Sequence, residues 1–246
     1  MNEPRATDFR QYDTPELDWR IRGAEDWPSR VFFRNELDSV TSADTFRGKR
    51  VVDIGSGVGQ LFNWLQTRGV SKIVGVEPSE RNVQASKELH PSITVVQSTL
   101  DSFTKTNHEP FDIAMVLMVF EHIQDVGGAF RDIGSILVDD GTCYVIIGDN
   151  DYNIALSKMP REETRVSVEV VREFEDGSVE TKIVWGEGGE TQTTMHDIFH
   201  PAELVLRLAR ENGFALVHQK TLLDATRTSP ELKNIPMFHL LVFQKK

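Results

Sequence analysis

The chain has 246 residues, 39% hydrophobic and 26% charged, a size and balance that suit one large soluble domain or a domain with a modest insertion. A formal net charge of −11, with no basic run longer than Lys49-Arg50 or Lys245-Lys246, argues against a nucleic-acid binder, whose affinity comes from phosphate contacts. The single cysteine, Cys143, excludes an internal disulfide and a cysteine-rich zinc site, and no apolar run approaches the ~20 residues of a membrane span. A lone thiol and the polar start Met1-Asn2-Glu3-Pro4-Arg5, which has no secretory apolar run, lead us to expect a cytoplasmic protein.

In chain order, residues 1–48 precede the first strand and are rich in aromatic side chains. Phe33, Leu37 and Val40 stand at i, i+4 and i+7, the spacing of a helix with one buried face. Val51-Val52-Asp53-Ile54 is a short β-branched run that reads as a buried strand, and it breaks into Gly55-Ser56-Gly57-Val58-Gly59-Gln60. A helical pattern with Leu61, Trp64 and Leu65 on one face follows, ending near Gly69. Strand, glycine turn and helix in that order make a ligand site, because bare backbone admits a ligand and helix N–H groups accept an anion.

Lys72–Glu77 is a second strand closed by an acid, and Pro78-Ser79 starts a helix that reaches Leu89. Strand 93–96 runs into Gln97-Ser98-Thr99-Leu100-Asp101, and strand 111–117 into Met118-Val119-Phe120-Glu121-His122. Asp125 caps a helix marked by Val126, Phe130, Ile133 and Leu137, and Asp139-Asp140-Gly141 turns into strand 142–147. Strands separated by helices predict right-handed crossovers and a parallel sheet.

Residues 151–199 read differently. Arg165–Val171, Val179–Trp185 and Glu190–His196 alternate between glycine-bearing turns, the pattern of an antiparallel meander with one solvated face. It follows the fifth strand, on the carboxyl side where α/β sheets bind ligands, so it is expected to serve as a substrate lid or as the contact of a homodimer. Pro201–Phe214 is an amphipathic helix, and Ala215–Leu223 and Phe238–Phe243 are the last strands.

The glycine turn decides among ligands. Gln60 stands where a dinucleotide fingerprint wants a small residue, and no Gly-Lys-Ser/Thr ending marks a nucleotide-triphosphate loop. Asp53 in the strand, Gly55-x-Gly57-x-Gly59 and the strand-ending Glu77 instead resemble the first two motifs of the class I S-adenosylmethionine-dependent methyltransferases. The resemblance covers about residues 48–150 and 200–246. It implies a doubly wound α/β fold: a mostly parallel seven-stranded sheet with an antiparallel last strand. Four parts follow: an N-terminal helical cap (1–48), a cofactor-binding core (49–150), a small antiparallel β insertion (151–199) and the C-terminal part of the core (200–246).

The implied cofactor is S-adenosyl-L-methionine. Its methionine end would meet Asp53, Gly55, Ser56, Gly57 and Gln60, and its ribose Glu77 beside Pro78, where a carboxylate can accept from both hydroxyls. Ser98, Thr99 and Leu100 occupy the adenine loop, with Thr99 where the family more often has Asp. Leu117 and Met118 would lie beside the sulfonium, and Tyr12, Trp19 and Arg30 of the cap could line the site.

Phe120-Glu121-His122-Ile123 matches the "L-E-H-V" turn of small-molecule members. The ubiquinone-biosynthesis O-methyltransferases carry a metal-associated Glu-x-x-Glu-His form, but Met118 takes the first Glu position here, so no catalytic metal is expected. A hydroxyl acceptor must lose a proton, which invites a base. The candidates are His196, His200 and His122, with Asp149 and Asn150 at the end of strand five. The sequence therefore points to methylation of a small-molecule acceptor, at oxygen rather than nitrogen, without nucleic-acid or membrane partners. An RNA or protein methyltransferase, a nicotinamide oxidoreductase and a non-catalytic cofactor-binding subunit are the competing readings.

Overall fold

The computed structural model describes residues 9–13, 28–107, 109–159, 166–185, 193–223 and 232–246. Trp19 and the side chains of Tyr12 and Arg30 lie outside the described residues. Strands β1 (Arg50–Ile54), β2 (Lys72–Glu77), β3 (Thr94–Gln97), β4 (Phe111–Leu117), β5 (Leu137–Gly148), β9 (Phe214–Leu223) and β10 (Pro236–Lys245) form one seven-stranded sheet in the order β3-β2-β1-β4-β5-β10-β9. β10 runs antiparallel to both of its neighbours, while β1 to β5 pair in parallel. The order reverses between β1 and β4, and there the crossovers leave the sheet to opposite sides, opening a crevice at the carboxyl ends.

Helices cover both faces because both faces are apolar. On one side α1 (Pro28–Val40), α2 (Phe62–Thr67) and α3 (Glu80–Leu89) pack Phe33, Leu37, Phe62, Leu65 and Val83 against Val51, Ile113 and Ile146. On the other, α4 (Leu100–Thr106), α5 (Val126–Ile136) and α7 (Ala202–Glu211) pack Phe103, Phe130, Ile133 and Val205 against Val52, Val116 and Val145. Ser79 and Asp125 cap their helices as read, accepting from the N–H groups of Asn82 and Gly128.

The structure departs from the pattern in three places. β5 begins at Leu137, not after the Asp139-Asp140-Gly141 turn; its register against β4 jumps from Phe111↔Leu137 to Ile113↔Thr142, and Asp140 takes the jump with φ of 60°. α4 was not legible because its two buried residues, Leu100 and Phe103, are too few to set a period. The third is α6 (Asn150–Ser157), started by the Asp149 carboxylate accepting from Tyr152 N at 2.7 Å.

α6 carries the insertion. β6 (Val166–Glu173), β7 (Val179–Trp185) and β8 (Thr193–Phe199) pair antiparallel as a separate three-stranded sheet. Its inner residues Val168, Val179, Ile183 and Phe199 share a cluster with Tyr152 and Leu156 of α6.

Gly75 of β2 shows how tightly this part of the core is packed. A Cβ there would lie 2.7 Å from Phe62 Cζ and 2.7 Å from Ser56 Oγ. Gly75→Ala is expected to cost about 2 kcal/mol by overpacking, read as a lowered melting temperature. An unchanged melting temperature would contradict this packing.

Candidate active site

The first turn after β1 makes the crevice. Gly55 has φ of 64° and Gly57 of 56°, a region where side-chain-bearing residues are strained. A Cβ on Gly55 would also meet Val119 Cγ2 at 2.6 Å. Asp53, Gly55, Ser56, Gln60 and Leu117, all expected in the site, line the crevice together with Phe33 and Leu61, around an empty volume of about 310 Å³ that is open to solvent. Ser56 Oγ is buried and has no hydrogen-bond partner among the described residues. Phe33 and Leu61 were read from their spacing as core side chains; period alone does not separate a residue that lines a crevice from one beneath it.

Glu77 sits next to this turn, 6% exposed. Its Oε2 accepts from Gly57 N at 2.9 Å, and its Oε1 from Ser79 N at 3.0 Å and Asn82 Nδ2 at 3.3 Å. Burial raises its pKa above the ordinary 4.5, against the lowering effect of those donors. A carboxylate offers about four lone-pair positions, so three are engaged where the sequence suggested two open oxygens. Accepting from both hydroxyls of a ribose requires Glu77 to release one of these donors. Pro78 is half-buried between Glu77 and the Ser79 cap.

The loop after β3 is held by its own hydrogen bonds. Ser98 N donates to the Glu77 carbonyl at 3.1 Å, which ties this loop to β2. Thr99 spends its hydroxyl on Asp101 Oδ1 at 2.6 Å, and that bond is the chief reason the Asp101 carboxyl titrates low. Leu100 turns into the core, in one cluster with Phe103. Met118, just past Leu117, has φ of 57° while its N–H donates to Ile146 O at 2.8 Å. A left-handed methionine costs on the order of 1 kcal/mol, and such outliers gather where a chain must be re-aimed at a site.

That re-aiming delivers the turn Phe120–His122. Glu121 is fully enclosed, with Oε1 accepting from Gly148 N at 2.6 Å and Oε2 without a hydrogen-bond partner among the described residues. Burial pushes its carboxyl up to about 7. His122 Nδ1 lies 3.2 Å from Asp197 Oδ1 of β8. Burial disfavours a charged His122, but the Asp197 carboxylate, with Glu121 and Glu77 behind it, prevails and raises its pKa above 6.5.

The other proposed bases are engaged elsewhere. His200 is buried, with Nδ1 2.9 Å from Ser178 Oγ and Nε2 donating to Ile123 O at 3.0 Å, and burial lowers its pKa. His196 is half-exposed on the outer face of β8, with Nδ1 3.8 Å from Glu180 Oε1. Asp149 caps α6 and accepts from His239 Nε2 at 2.7 Å, and Asn150 donates to Gly177 O at 3.0 Å. Of the three histidines, the structure brings only His122 close enough to Glu77 for their charges to interact. His200→Ala is expected to cost about 2 kcal/mol by stranding Ser178 and the Ile123 carbonyl. Affinity for S-adenosylhomocysteine should stay unchanged by calorimetry; a large loss would return His200 to the site.

Among the described residues no group of three or more His, Cys, Asp or Glu side chains could hold a metal ion, and no helix is long and apolar enough to cross a membrane. The doubly wound sheet, its strand order and the glycine turn at the switch point are the fold found in class I S-adenosylmethionine-dependent methyltransferases. The chain belongs to the methyltransferase domain family, whose model matches residues 20–219. Over 130 residues it is 32% identical to the ubiquinone biosynthesis O-methyltransferase of Bradyrhizobium diazoefficiens, an alignment covering 51% of this chain and 49% of that protein. The chain thus spans about half the length of the curated relatives it matches.

Two solved structures share the fold at low identity. A S-adenosylmethionine-dependent methyltransferase from Mesorhizobium loti superposes with a TM-score of 0.59 at 20% identity, covering 92% of this chain and 100% of that one. The magnesium protoporphyrin IX methyltransferase of Synechocystis PCC 6803, solved with S-adenosylmethionine bound, gives 0.53 at 14% identity, covering 96% and 88%. The residues here fit such a cofactor: a turn that glycine alone occupies without strain, the buried unpartnered Ser56 hydroxyl beside it, and Glu77 at its rim.

Proposed function

We propose that the protein transfers a methyl group from S-adenosylmethionine to a hydroxyl of a small molecule. The observation that carries this reading is the crevice at the glycine turn, lined by Asp53, Gly55, Ser56 and Gln60, with the Glu77 carboxylate accepting from Gly57 N beside it. Asp53, Gly55, Ser56, Gly57 and Gln60 would hold the amino-acid end of the cofactor, Glu77 its ribose, and Leu117 and Met118 would flank its sulfur. When bound, S-adenosylmethionine supplies an electrophilic methyl, whose bond to sulfur breaks with the electron pair on sulfur as the acceptor oxygen bonds to carbon. The protein's part would be to align the acceptor, exclude water and take the hydroxyl proton, and we assign the last of these to His122.

An imidazole base suits an acidic hydroxyl, such as a phenol, better than an aliphatic alcohol, because proton transfer is easiest when the two pKa values are near. The names of the O-methyltransferase relatives support oxygen as the target. The test is a panel of phenols, catechols, aliphatic alcohols and amines incubated with S-adenosylmethionine and read by mass spectrometry. A product about 14 Da heavier, O-methylated and confined to the acidic hydroxyls, is expected; methylation of amines alone would overturn the proposal.

A further inference from the structure

We propose that Asp197, carried by β8 of the insertion, is the positioning residue that fixes the tautomer and orientation of His122 and holds the charge His122 takes up. The proposal deepens the reading above and rests on it for its consequence. Side chains alternate along a strand, so His196 and Asp197 leave β8 on opposite faces. His196 turns toward Glu180, while Asp197 turns inward to stand 3.2 Å from His122.

Both partners are separately anchored. The Gln11 side-chain amide accepts from His196 N at 2.8 Å and donates to His196 O at 3.1 Å, gripping β8 beside Asp197. The His122 turn is held from the other side by Glu121 on Gly148 N. Asp197 is 7% exposed, so little water screens its field.

At 3.2 Å the Asp197 carboxylate favours the tautomer that carries its proton on Nδ1, and a charged His122 over a neutral one, through the charge contact rather than through a hydrogen bond, since Oδ1 has no hydrogen-bond partner among the described residues. Asp197 then faces the imidazolium that forms when His122 takes up a proton. The carboxylates around that ring are Asp197, Glu121 and Glu77. The insertion is thereby coupled to the His122 turn through a single side chain.

The test is nitrogen NMR of histidine-labelled protein, with His122 assigned by its loss in His122→Asn, read without ligand and with S-adenosylhomocysteine. Neutral His122 in the unaltered protein is expected to carry its proton on Nδ1. In Asp197→Asn its titration midpoint should move to lower pH, and Asp197→Glu should move it back. Affinity for S-adenosylhomocysteine should stay within about twofold, below ~0.5 kcal/mol. An Nε2 proton in the unaltered protein, or an unmoved midpoint in Asp197→Asn, overturns the proposal. The tautomer is read even if Asp197→Asn fails to fold. If S-adenosylhomocysteine fails to bind the unaltered protein, the methyltransferase reading falls, while the His122 spectra still decide the coupling to Asp197.

Discussion

Glu77→Ala is expected to weaken binding of S-adenosylhomocysteine at least about tenfold, which corresponds to ~1.4 kcal/mol, and to destabilise the protein as well. The two effects share a cause. Glu77 accepts from Gly57 N, Ser79 N and Asn82 Nδ2, so its removal strands three donors around the glycine turn and the start of α3. Each stranded buried donor costs about 1–3 kcal/mol where water cannot reach it. Glu77→Gln separates the roles: its amide keeps the size but sets a donor against one of the N–H groups, so the turn loosens without a cavity. Calorimetry for affinity and urea unfolding for stability read the pair. An unchanged dissociation constant in Glu77→Ala would remove Glu77 from the cofactor site, whatever happened to stability.

The second large effect concerns pH. Glu121 has its pKa raised from 4.5 to about 7 by burial. Below about pH 4.5 the carboxyl is protonated in both folded and unfolded chains, and its burial carries no ionisation penalty. As pH rises toward 7 the unfolded chain gives up a proton that the folded chain keeps, so stability falls. Above about pH 7 the folded protein carries the buried charge, and the loss levels off on the order of 3 kcal/mol. Glu121→Gln keeps an oxygen for Gly148 N and cannot ionise. Its unfolding free energy should therefore vary less between pH 5 and pH 8 than that of the unaltered protein, with the gain appearing at pH 8. Equal pH slopes for the two proteins would show that Glu121 is not the group responsible.

Much of the fold was legible because its signals are local. The β-branched runs at Val51–Ile54 and Lys72–Glu77, the capping residues Ser79 and Asp125, and the i, i+4, i+7 face of Phe33, Leu37 and Val40 each act within a few residues of themselves. Alternation of strand and helix then leaves a handed parallel sheet as the simplest outcome. The short helices α4 and α6 escaped, since seven or eight residues with two or three buried side chains set no readable period. Leu100, legible only as part of the loop after β3 for the same reason, belongs to α4 and packs in the core.

What the sequence by itself determined is where the glycine turn falls and which family its motifs resemble, because Asp53, the three glycines and Glu77 are read from their spacing along the chain. What only the tertiary structure decided is the partnership of the ionisable groups. His196, His200 and His122 are equivalent as letters, yet Ser178 and Ile123 engage one, Glu180 faces another, and Asp197, 75 positions along the chain, reaches the third. Electrostatic interaction depends on distance through space and on the water between, and neither quantity is written in sequence order.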